Sequence, residues 1–312
     1  MVVRRAPRTR GQLIQRSAVS GPGDIAIVCD STSYLPDTLL EQEGAEVVSL
    51  YVTVSGDQRR EREIDDYAGF FERLRASEEG AATSQPSIGD FIEVYGPLLD
   101  AGKSVVSIHL AAGISGTYES ALQSRQRLID EGRGGERIHV IDSRTACGGM
   151  GMMVLTAAAS VRSGAGLETV VERVHGAREQ LRMWFAIDTL EYLRKGGRIG
   201  AARAWMGSAL QIKPILTLED EITPVERVRT RRRVFERLVQ YAQELHDSGR
   251  DAWVVQHIRD PENAQRLVER CREVMGSEPV FISEIGPVIG AHTGPGLLGI
   301  GGIPGEFLTG GD

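Results

Sequence analysis

The sequence predicts an α/β protein with two domains, an α/β/α domain on a parallel sheet and a second α/β domain on a mixed sheet. Strand and helix patterns alternate through the first half of the chain, which is typical of parallel β-α-β units with helices on both faces. Two later strand patterns are separated only by Glu219-Asp220, which predicts an antiparallel hairpin. A chain of 312 residues is long enough for two domains.

The first domain is predicted at residues 23–166, after a disordered tail at 1–22. Short apolar runs predict its strands at 24–30, 46–55, 104–110 and 137–141. Amphipathic or Ala- and Met-rich stretches predict helices at 65–75, 88–99, 117–130 and 147–162. A further helix begins at Pro36, because proline fits the first helical position, and residues 31–35 and 83–87 are predicted as loops.

The second domain is predicted at residues 167–306 and is followed by a tail at 307–312. Its predicted strands are 184–187, 211–218, 221–227, 252–257 and 280–285. Its predicted helices are 167–180, 231–245 and 261–274, the last opened by a proline. After residue 285 the sequence predicts a glycine-rich tail, and we expect the mixed sheet to be covered on one face.

Composition and charge argue against several classes of protein. The net charge of −7 disfavours a nucleic-acid partner, whose phosphates require a basic face. The three cysteines have no CxxC spacing and no His-Glu-x-x-His motif occurs, so neither disulfides nor a metal site are expected, and a cytoplasmic location fits best. No apolar run approaches the length of a membrane span. The Arg-rich first twenty residues favour a disordered tail over an organellar transit peptide.

The turn at residues 113–118 is the strongest candidate site, because it joins a buried strand to the start of a helix. Backbone amides at a helix N-terminus are unpaired and the helix dipole favours an anion there. Ser115 and Thr117 add hydroxyl donors, although Ser115 would also suit a plain helix cap. Ligands of parallel sheets bind beyond the carboxyl ends of the strands, where this turn, Asp30 and Asp142 are all predicted to lie.

Two more polar loops are candidates. The Thr-Ser-Gln-Pro-Ser loop at 83–87 precedes a helix, and Ser87 alone would explain it as a cap. His292 lies among glycines and a proline in residues 290–296, where the backbone is able to approach a ligand closely. Both a structural and a functional interpretation remain open for these loops.

The sequence contains near matches to motifs for nucleotide binding and hydrolysis, but the spacing or position of each is wrong. Residues 96–104 place five residues between the glycines of a would-be phosphate loop, and the Gly-Lys-Ser precedes a strand instead of following one. The G-x-G-x-x-G at 294–299 is too close to the C-terminus for a dinucleotide fold. Ser115 is followed directly by Gly116, so no nucleophile elbow exists. We therefore expect no cofactor and no ATP site in this chain.

Two basic stretches are open to a structural as well as a functional interpretation. Residues 190–199 suit a helix end with a glycine cap and basic residues against the C-terminal dipole. The run of arginines at 227–233 suits a solvated face, but its place near a predicted helix N-terminus is electrostatically unfavourable. An acidic partner would offset that charge.

Taken together, these segments resemble the DegV family. The matching stretches, in the family's order, are 27–33, 83–87, 115–118, 140–143, 192–199 and 286–296. They cover roughly residues 24–300, and the ordered set is far more specific than any one stretch. This chain departs from the pattern at Tyr34, where we expect an acidic or small residue.

The resemblance implies a protein that holds one long-chain fatty acid in a tunnel between its domains. It is similar to the fatty-acid-binding subunit of bacterial fatty acid kinase, which presents the carboxylate to a separate ATP-binding kinase subunit that forms the acyl-phosphate. Carried over by position, Thr83, Ser115 and His292 would bind the carboxylate and Arg194 would face the kinase. The full set of predicted ligand-binding residues is Thr83, Ser84, Ser115, Gly116, Thr117 and His292. We expect a monomeric lipid-binding subunit without catalytic residues, in transient membrane contact at most.

A serine hydrolase is the rival hypothesis. Ser115 would be the nucleophile, His292 the base, and Asp30 or Asp142 the orienting acid, since such triads are defined by geometry and not by sequence order. A third hypothesis, a binding protein for another small anion, predicts a short pocket in place of a long tunnel.

Overall fold

The computed structural model describes residues 24–206 and 212–310. The predicted N-terminal tail, the first residue of the predicted strand at 211–218 and the last two residues of the chain lie outside the described residues. The described strands are β1 (Ile25–Asp30), β2 (Ala45–Val48), β3 (Tyr51–Val54), β4 (Asp57–Arg60), β5 (Ala81–Ser84), β6 (Ser104–His109), β7 (Ile138–Asp142), β8 (Arg182–Ala186), β9 (Lys213–Glu219), β10 (Glu221–Val228), β11 (Ala252–His257), β12 (Phe281–Glu284) and β13 (Leu298–Ile303). The described helices are α1 (Asp37–Glu43), α2 (Tyr67–Ala76), α3 (Ile88–Asp100), α4 (Thr117–Asp130), α5 (Cys147–Arg162), α6 (Leu167–Gln180), α7 (Glu191–Lys195), α8 (Arg231–Asp247), α9 (Pro261–Met275) and α10 (Pro287–Thr293).

Four parallel strands form the first sheet, in the order β2-β1-β6-β7. Every residue of β1 and β6 is buried, as is typical of parallel strands that are covered on both faces. Helices α3 and α4 cover one face, where Phe91, Tyr95 and Leu128 pack with Val28. Helix α5 packs against β1 and β6. The predicted α/β/α arrangement is confirmed.

Helix α5 is buried on all sides and links the two sheets. Residues 148–160 are all buried, because the helix carries Ala, Met and Gly around its whole circumference. It contacts β1 and β6 of the first sheet and β11 and β13 of the second. The two halves of the chain therefore share one hydrophobic core.

The predicted strand at 46–55 is wrong as a single element. Strand β2 ends in the parallel sheet, and β3 belongs to a separate antiparallel sheet of order β4-β3-β5. Between them the Leu50 amide donates to Ser31 Oγ (3.2 Å) and the Leu50 carbonyl accepts from the Glu61 amide (2.8 Å). Alternate residues from Val48 to Val54 stay buried through this change of sheet, so the periodicity alone indicates one strand.

The loop predicted at 83–87 is also partly wrong. Thr83 and Ser84 are the last residues of β5, which pairs with β3 in antiparallel register. Ser87 is the N-cap of α3, and its hydroxyl accepts a hydrogen bond from the Asp90 amide (3.1 Å). The polar residue types of this segment favour a turn, so the sequence did not reveal the end of β5. Pairing with β3 stabilises this short strand.

The second sheet is mixed, with the order β10-β9-β8-β13-β11-β12. Strands β11 and β12 run parallel, and the other neighbouring pairs run antiparallel. The predicted hairpin joins β9 and β10 through Asp220, which adopts a positive φ of 71°. Helices α8 and α9 cover one face. Across the other face lie α5 and the cavity described below.

The predicted glycine-rich tail after residue 285 is wrong. Helix α10 follows directly, and β13 lies inside the second sheet between β8 and β11. Glycine is needed there because a Cβ at Gly301 would lie 2.8 Å from the Cβ of Met183 on the neighbouring strand. The glycines of β13 have low β propensity, so the sequence does not reveal this strand. Close pairing of its backbone with the neighbouring strands stabilises it.

The chain stays packed beyond β13. Phe307 and Leu308 pack against the main core, and the Thr309 carbonyl accepts a hydrogen bond from Arg173 Nη2 (2.7 Å). The first sheet ends at Asp142 and the second begins at Arg182. The domain boundary at 166/167 stays a prediction. Among the described residues, no helix is both long enough and apolar enough to cross a membrane.

Candidate functional site

A cavity lies between the carboxyl ends of β6 and β7 and one face of the second sheet. It contains about 980 Å³ of space outside the protein atoms, its mouth included. Most of its wall is apolar, with representative side chains Leu110, Met183, Phe185, Leu218, Val254 and Leu297. Its polar wall includes Thr83, Ser84, Gln85, Ser115, Arg198 and His292. The topology of the parallel sheet predicts a site at this edge, and the second sheet closes it.

Thr83 and His292 meet at the wall of this cavity. Thr83 Oγ1 lies 2.7 Å from His292 Nε2, although the two residues are 209 positions apart. Strand β5 presents the threonine and α10 presents the histidine. Burial, and secondarily the positive charge of Arg198, lower the pKa of His292 to about 4. The imidazole is therefore neutral at pH 7, and its Nε2 forms a neutral hydrogen bond with the hydroxyl.

The depressed pKa of His292 makes the stability of the fold depend on pH. Between about pH 4 and the ordinary pKa of 6.5 the unfolded chain binds a proton at this imidazole and the folded chain does not. The contribution of His292 to the free energy of unfolding therefore falls as the pH is lowered through this window, by at most about 1.4 kcal/mol per pH unit.

We expect His292→Gln to lose less stability than the wild type when the pH is lowered from 7 to 5. Urea unfolding at both pH values measures this difference directly. His257→Gln, outside the cavity wall, is a second test of the same linkage: burial also lowers the pKa of His257, so this variant too should lose less stability than the wild type. Equal pH dependence in the wild type and His292→Gln would contradict the assignment of a neutral His292.

One glycine makes room for the imidazole, and a second lets the end of α10 pack against α7. A Cβ at Gly196, directly after α7, would lie 2.1 Å from His292 Nδ1. A Cβ at Gly294, directly after α10, would lie 2.4 Å from two ring carbons of Tyr192. Within the described residues His292 Nδ1 has no hydrogen-bond partner. The bond from Nε2 to Thr83 and close packing on Gly196 therefore both fix the orientation of the ring.

The turn at 113–118 contributes one cavity-lining hydroxyl. Ser115 lines the cavity, and its Oγ lies 2.9 Å from Thr117 Oγ1 and accepts from the Thr117 amide (3.3 Å). Thr117 is fully buried, and neither it nor Gly116 belongs to the cavity wall described here. A Cβ at Gly116 would lie 2.9 Å from Gln85 Nε2. Gly116 and Thr117 therefore shape the turn and bring it against the loop after β5.

Arg198 and Gln85 were missed as site residues by the sequence reasoning. Arg198 Nε donates to the carbonyl of Ile114 (3.2 Å) and its Nη1 donates to the carbonyl of Gly196 (2.8 Å). The guanidinium thus joins the turn at 113–118 to the segment that packs on His292. Both residues stand inside stretches that the sequence singles out, but neither stretch alone shows which side chains reach the cavity.

Arg194 lies outside the cavity wall. Its side chain is 49% exposed and is paired with Glu191 on the same helix, with 3.1 Å between Arg194 Nε and Glu191 Oε2. It is therefore available at the surface. Its predicted contact with a kinase stays a prediction.

The structure does not assemble the Ser–His–Asp triad of the rival hypothesis. Asp30 accepts from the Leu110 amide (2.9 Å) and faces His109 Nδ1 (3.2 Å). Asp142 accepts from the Ala112 amide in the loop after β6 (3.2 Å) and from the Arg144 amide in its own loop (2.8 Å). Neither carboxylate contacts His292, whose Nδ1 lacks a partner among the described residues. In residues 24–206 and 212–310, no group of three or more His, Cys, Asp or Glu is arranged to hold a metal ion.

Comparisons of sequence agree with the resemblance. A model of the DegV family matches residues 24–305. A DegV domain-containing protein of Streptomyces coelicolor is 36% identical over 280 residues, which cover 88% of this chain and 97% of that protein. Protein DegV of Bacillus subtilis is 32% identical over 280 residues, which cover 89% and 98%.

Comparisons of structure give the same result. A DegV family protein from Thermus thermophilus, described as fatty acid binding, has a TM-score of 0.81 at 34% identity and matches 90% of this chain and 99% of its own. DegV of Bacillus subtilis, described as a fatty acid binding protein, has a TM-score of 0.80 at 31% identity with the same coverage. The match of the family model and of these relatives along nearly the whole described chain shows that this protein belongs to the DegV family.

Proposed function

We propose that this protein binds one long-chain fatty acid in the cavity and presents its carboxylate to a separate ATP-dependent kinase, which converts it to an acyl-phosphate. The observation that carries the proposal is the composition of the cavity. Apolar walls from both halves of the chain enclose it, and the hydroxyls of Thr83 and Ser115 line it together with neutral His292. Relatives of the same fold are described as fatty acid binding.

The energetics of such a ligand favour an apolar cavity. Burial of about 14 methylenes at about 0.8 kcal/mol each gives a gross gain of roughly 11 kcal/mol. Association and ordering costs remove several kcal/mol of that gain. The acyl tail therefore determines affinity, and the apolar walls are the part of the site that supplies it.

The carboxylate requires partners, because an unpaired buried anion is costly. Each hydrogen bond to a charged group contributes about 1.5–3 kcal/mol. Thr83 and Ser115 offer hydroxyl donors, and neutral His292 donates from Nε2 to Thr83 Oγ1, so that the threonine proton is free for the carboxylate. The positive charge of Arg198 lies beside them at an exposed position. Neutral donors leave the carboxylate oxygens nucleophilic toward a phosphoryl group, which suits presentation to a kinase.

The rest of the proposal concerns partners and location. Arg194 is exposed on α7, next to the segment that packs on His292, and would contact the kinase. The three cysteines are free thiols, which suits a cytoplasmic protein. We also propose a monomer that contacts membranes only transiently. A serine hydrolase is not favoured, since no described acid orients His292.

Native mass spectrometry of the protein purified from a bacterial host tests lipid binding and oligomeric state together. We expect a monomer that carries one fatty acid, which denaturation releases.

In delipidated protein, Thr83→Val should weaken palmitate binding by about tenfold or more, because a carboxylate partner is lost. Thr223→Val, on β10 and outside the cavity wall, is the matched control. The proposal fails if the delipidated wild type shows no saturable binding of palmitate or oleate.

Arg194→Ala separates lipid binding from presentation. We expect wild-type palmitate affinity, because the side chain lies outside the cavity wall, and reduced acyl-phosphate formation by the kinase. Arg233→Ala removes an arginine on α8 that is comparably exposed (52%) and likewise paired with a glutamate, and it should change neither measurement. An equal loss of lipid binding and phosphorylation in Arg194→Ala would contradict this division of roles.

A further inference from the structure

The first free amides of helix α10 are held by side chains from the other half of the chain. Pro287 occupies the first helical position and has no N–H, so Val288 and Ile289 carry the first donors of the helix. The Val288 amide donates to Glu61 Oε1 (2.8 Å) and the Ile289 amide donates to Tyr34 Oη (3.2 Å). Glu61 and Tyr34 lie 227 and 255 positions away from these amides.

Glu61 and Tyr34 form one buried unit. Glu61 is 3% exposed and Tyr34 is 8% exposed. The Tyr34 hydroxyl donates to Glu61 Oε1 (2.7 Å), and Ser31 Oγ donates to Glu61 Oε2. Ser31 in turn accepts from the Leu50 amide at the change of sheet between β2 and β3. The unit is therefore fixed to the first sheet before it contacts α10.

The start of α10 fits against this unit closely. A Cβ at Gly286 would lie 2.7 Å from Tyr67 Oη, 2.8 Å from Tyr34 Cε1 and 3.0 Å from Glu61 Oε1. Gly286, the N-cap residue, supplies no side-chain hydrogen bond of its own. Glu61 and Tyr34 therefore supply at the start of α10 the contacts that a local side-chain cap would otherwise make.

Displacement of α10 would reach the carboxylate site. Val288 and Ile289 line the cavity, and His292 lies about one turn further along the same helix. The hydrogen bond of 2.7 Å between His292 Nε2 and Thr83 Oγ1 joins α10 to β5. A shift of α10 by a fraction of its pitch is enough to break that bond.

We propose that Glu61, together with Tyr34, is a positioning residue of the ligand site: it fixes α10 so that His292 stays on Thr83. The inference rests on the proposed function for its effect on fatty acid affinity. The placement of His292 itself is measured without any ligand.

Three variants test the proposal. Glu61→Ala removes all three acceptor contacts, and Tyr34→Phe removes only the hydroxyl between Glu61 and Ile289. Glu61→Gln is the conservative variant, since its carbonyl oxygen at the Oε1 position is still able to accept from both Tyr34 and Val288. Its amide faces Ser31, whose hydroxyl must turn to accept where it donates in the wild type. Palmitate affinity, the imidazole ¹⁵N signals of His292 in delipidated protein, and the urea midpoint are measured for each.

We expect palmitate affinity to fall on the order of tenfold in Glu61→Ala and less in Tyr34→Phe, with altered His292 ¹⁵N signals in both. Glu61→Gln should match the wild type within about twofold. If Glu61 has a purely structural role, its loss lowers the urea midpoint but leaves the His292 signals and the affinity of the folded protein unchanged. That result overturns the proposal.

If Glu61→Ala does not fold, Tyr34→Phe decides by the same criteria. A wild type that binds no palmitate overturns the proposed function, whereas the His292 signals still decide the positioning role.

Discussion

Gly196→Ala is expected to weaken palmitate binding by about 10- to 100-fold and to lower the free energy of unfolding by about 1–3 kcal/mol. Alanine tolerates the backbone of Gly196, which has φ −76° and ψ −6°. Its Cβ, however, would lie 2.1 Å from His292 Nδ1, well inside van der Waals contact. The imidazole must move by more than an ångström, and its hydrogen bond to Thr83 cannot survive that displacement. Titration of delipidated protein with palmitate measures the loss.

Gly89→Ala is the matched control for this substitution. Gly89 lies near the start of α3, and the nearest atom to its Cβ position is Ser87 Oγ at 3.5 Å, an ordinary contact. We expect wild-type affinity and a slight gain in stability, because alanine favours a helix over glycine. In a Thr83→Val background, Gly196→Ala should cost much less affinity than in the wild type, since both changes remove the same bond. Additive losses would contradict the mechanism.

Asp30→Ala is expected to lower the free energy of unfolding by about 3–5 kcal/mol. The carboxylate of Asp30 is fully buried and accepts from the Thr32 amide (3.0 Å), the Thr32 hydroxyl (2.6 Å) and the Leu110 amide (2.9 Å). It also faces His109 Nδ1 at 3.2 Å. Removing it leaves several buried donors without a partner, and each unpaired donor costs about 1–3 kcal/mol.

The loss should depend on how many acceptors remain. Asp30→Asn keeps one carbonyl oxygen and should therefore lose less stability than Asp30→Ala in urea unfolding. Asp130→Ala removes an exposed aspartate on α4 and should stay within about 0.5 kcal/mol of the wild type. A loss below about 1 kcal/mol in Asp30→Ala would show that water or rearrangement satisfies the donors.

The sequence located the loops of the candidate site but not all of its side chains. Ser115, Thr83 and His292 stand in stretches whose residue types are unusual for plain turns, and all three line the cavity. Arg198 was missed because glycine and basic residues after a helix also suit an ordinary cap. Glu61 was missed because nothing in a surface-like run of charged residues predicts a glutamate that is 3% exposed.

The sequence by itself determined the α/β class, the parallel sheet, the hairpin through Asp220 and the turn at 113–118, because hydrophobic periodicity and turn residues are local signals. Only the tertiary structure decided that β13 lies inside the second sheet, since pairing with β8 and β11 overrides the low strand propensity of its glycines. It also decided that His292 meets Thr83, across 209 positions of sequence. Contacts of that kind depend on how α10 packs against Gly196 and Glu61, and no local pattern encodes them.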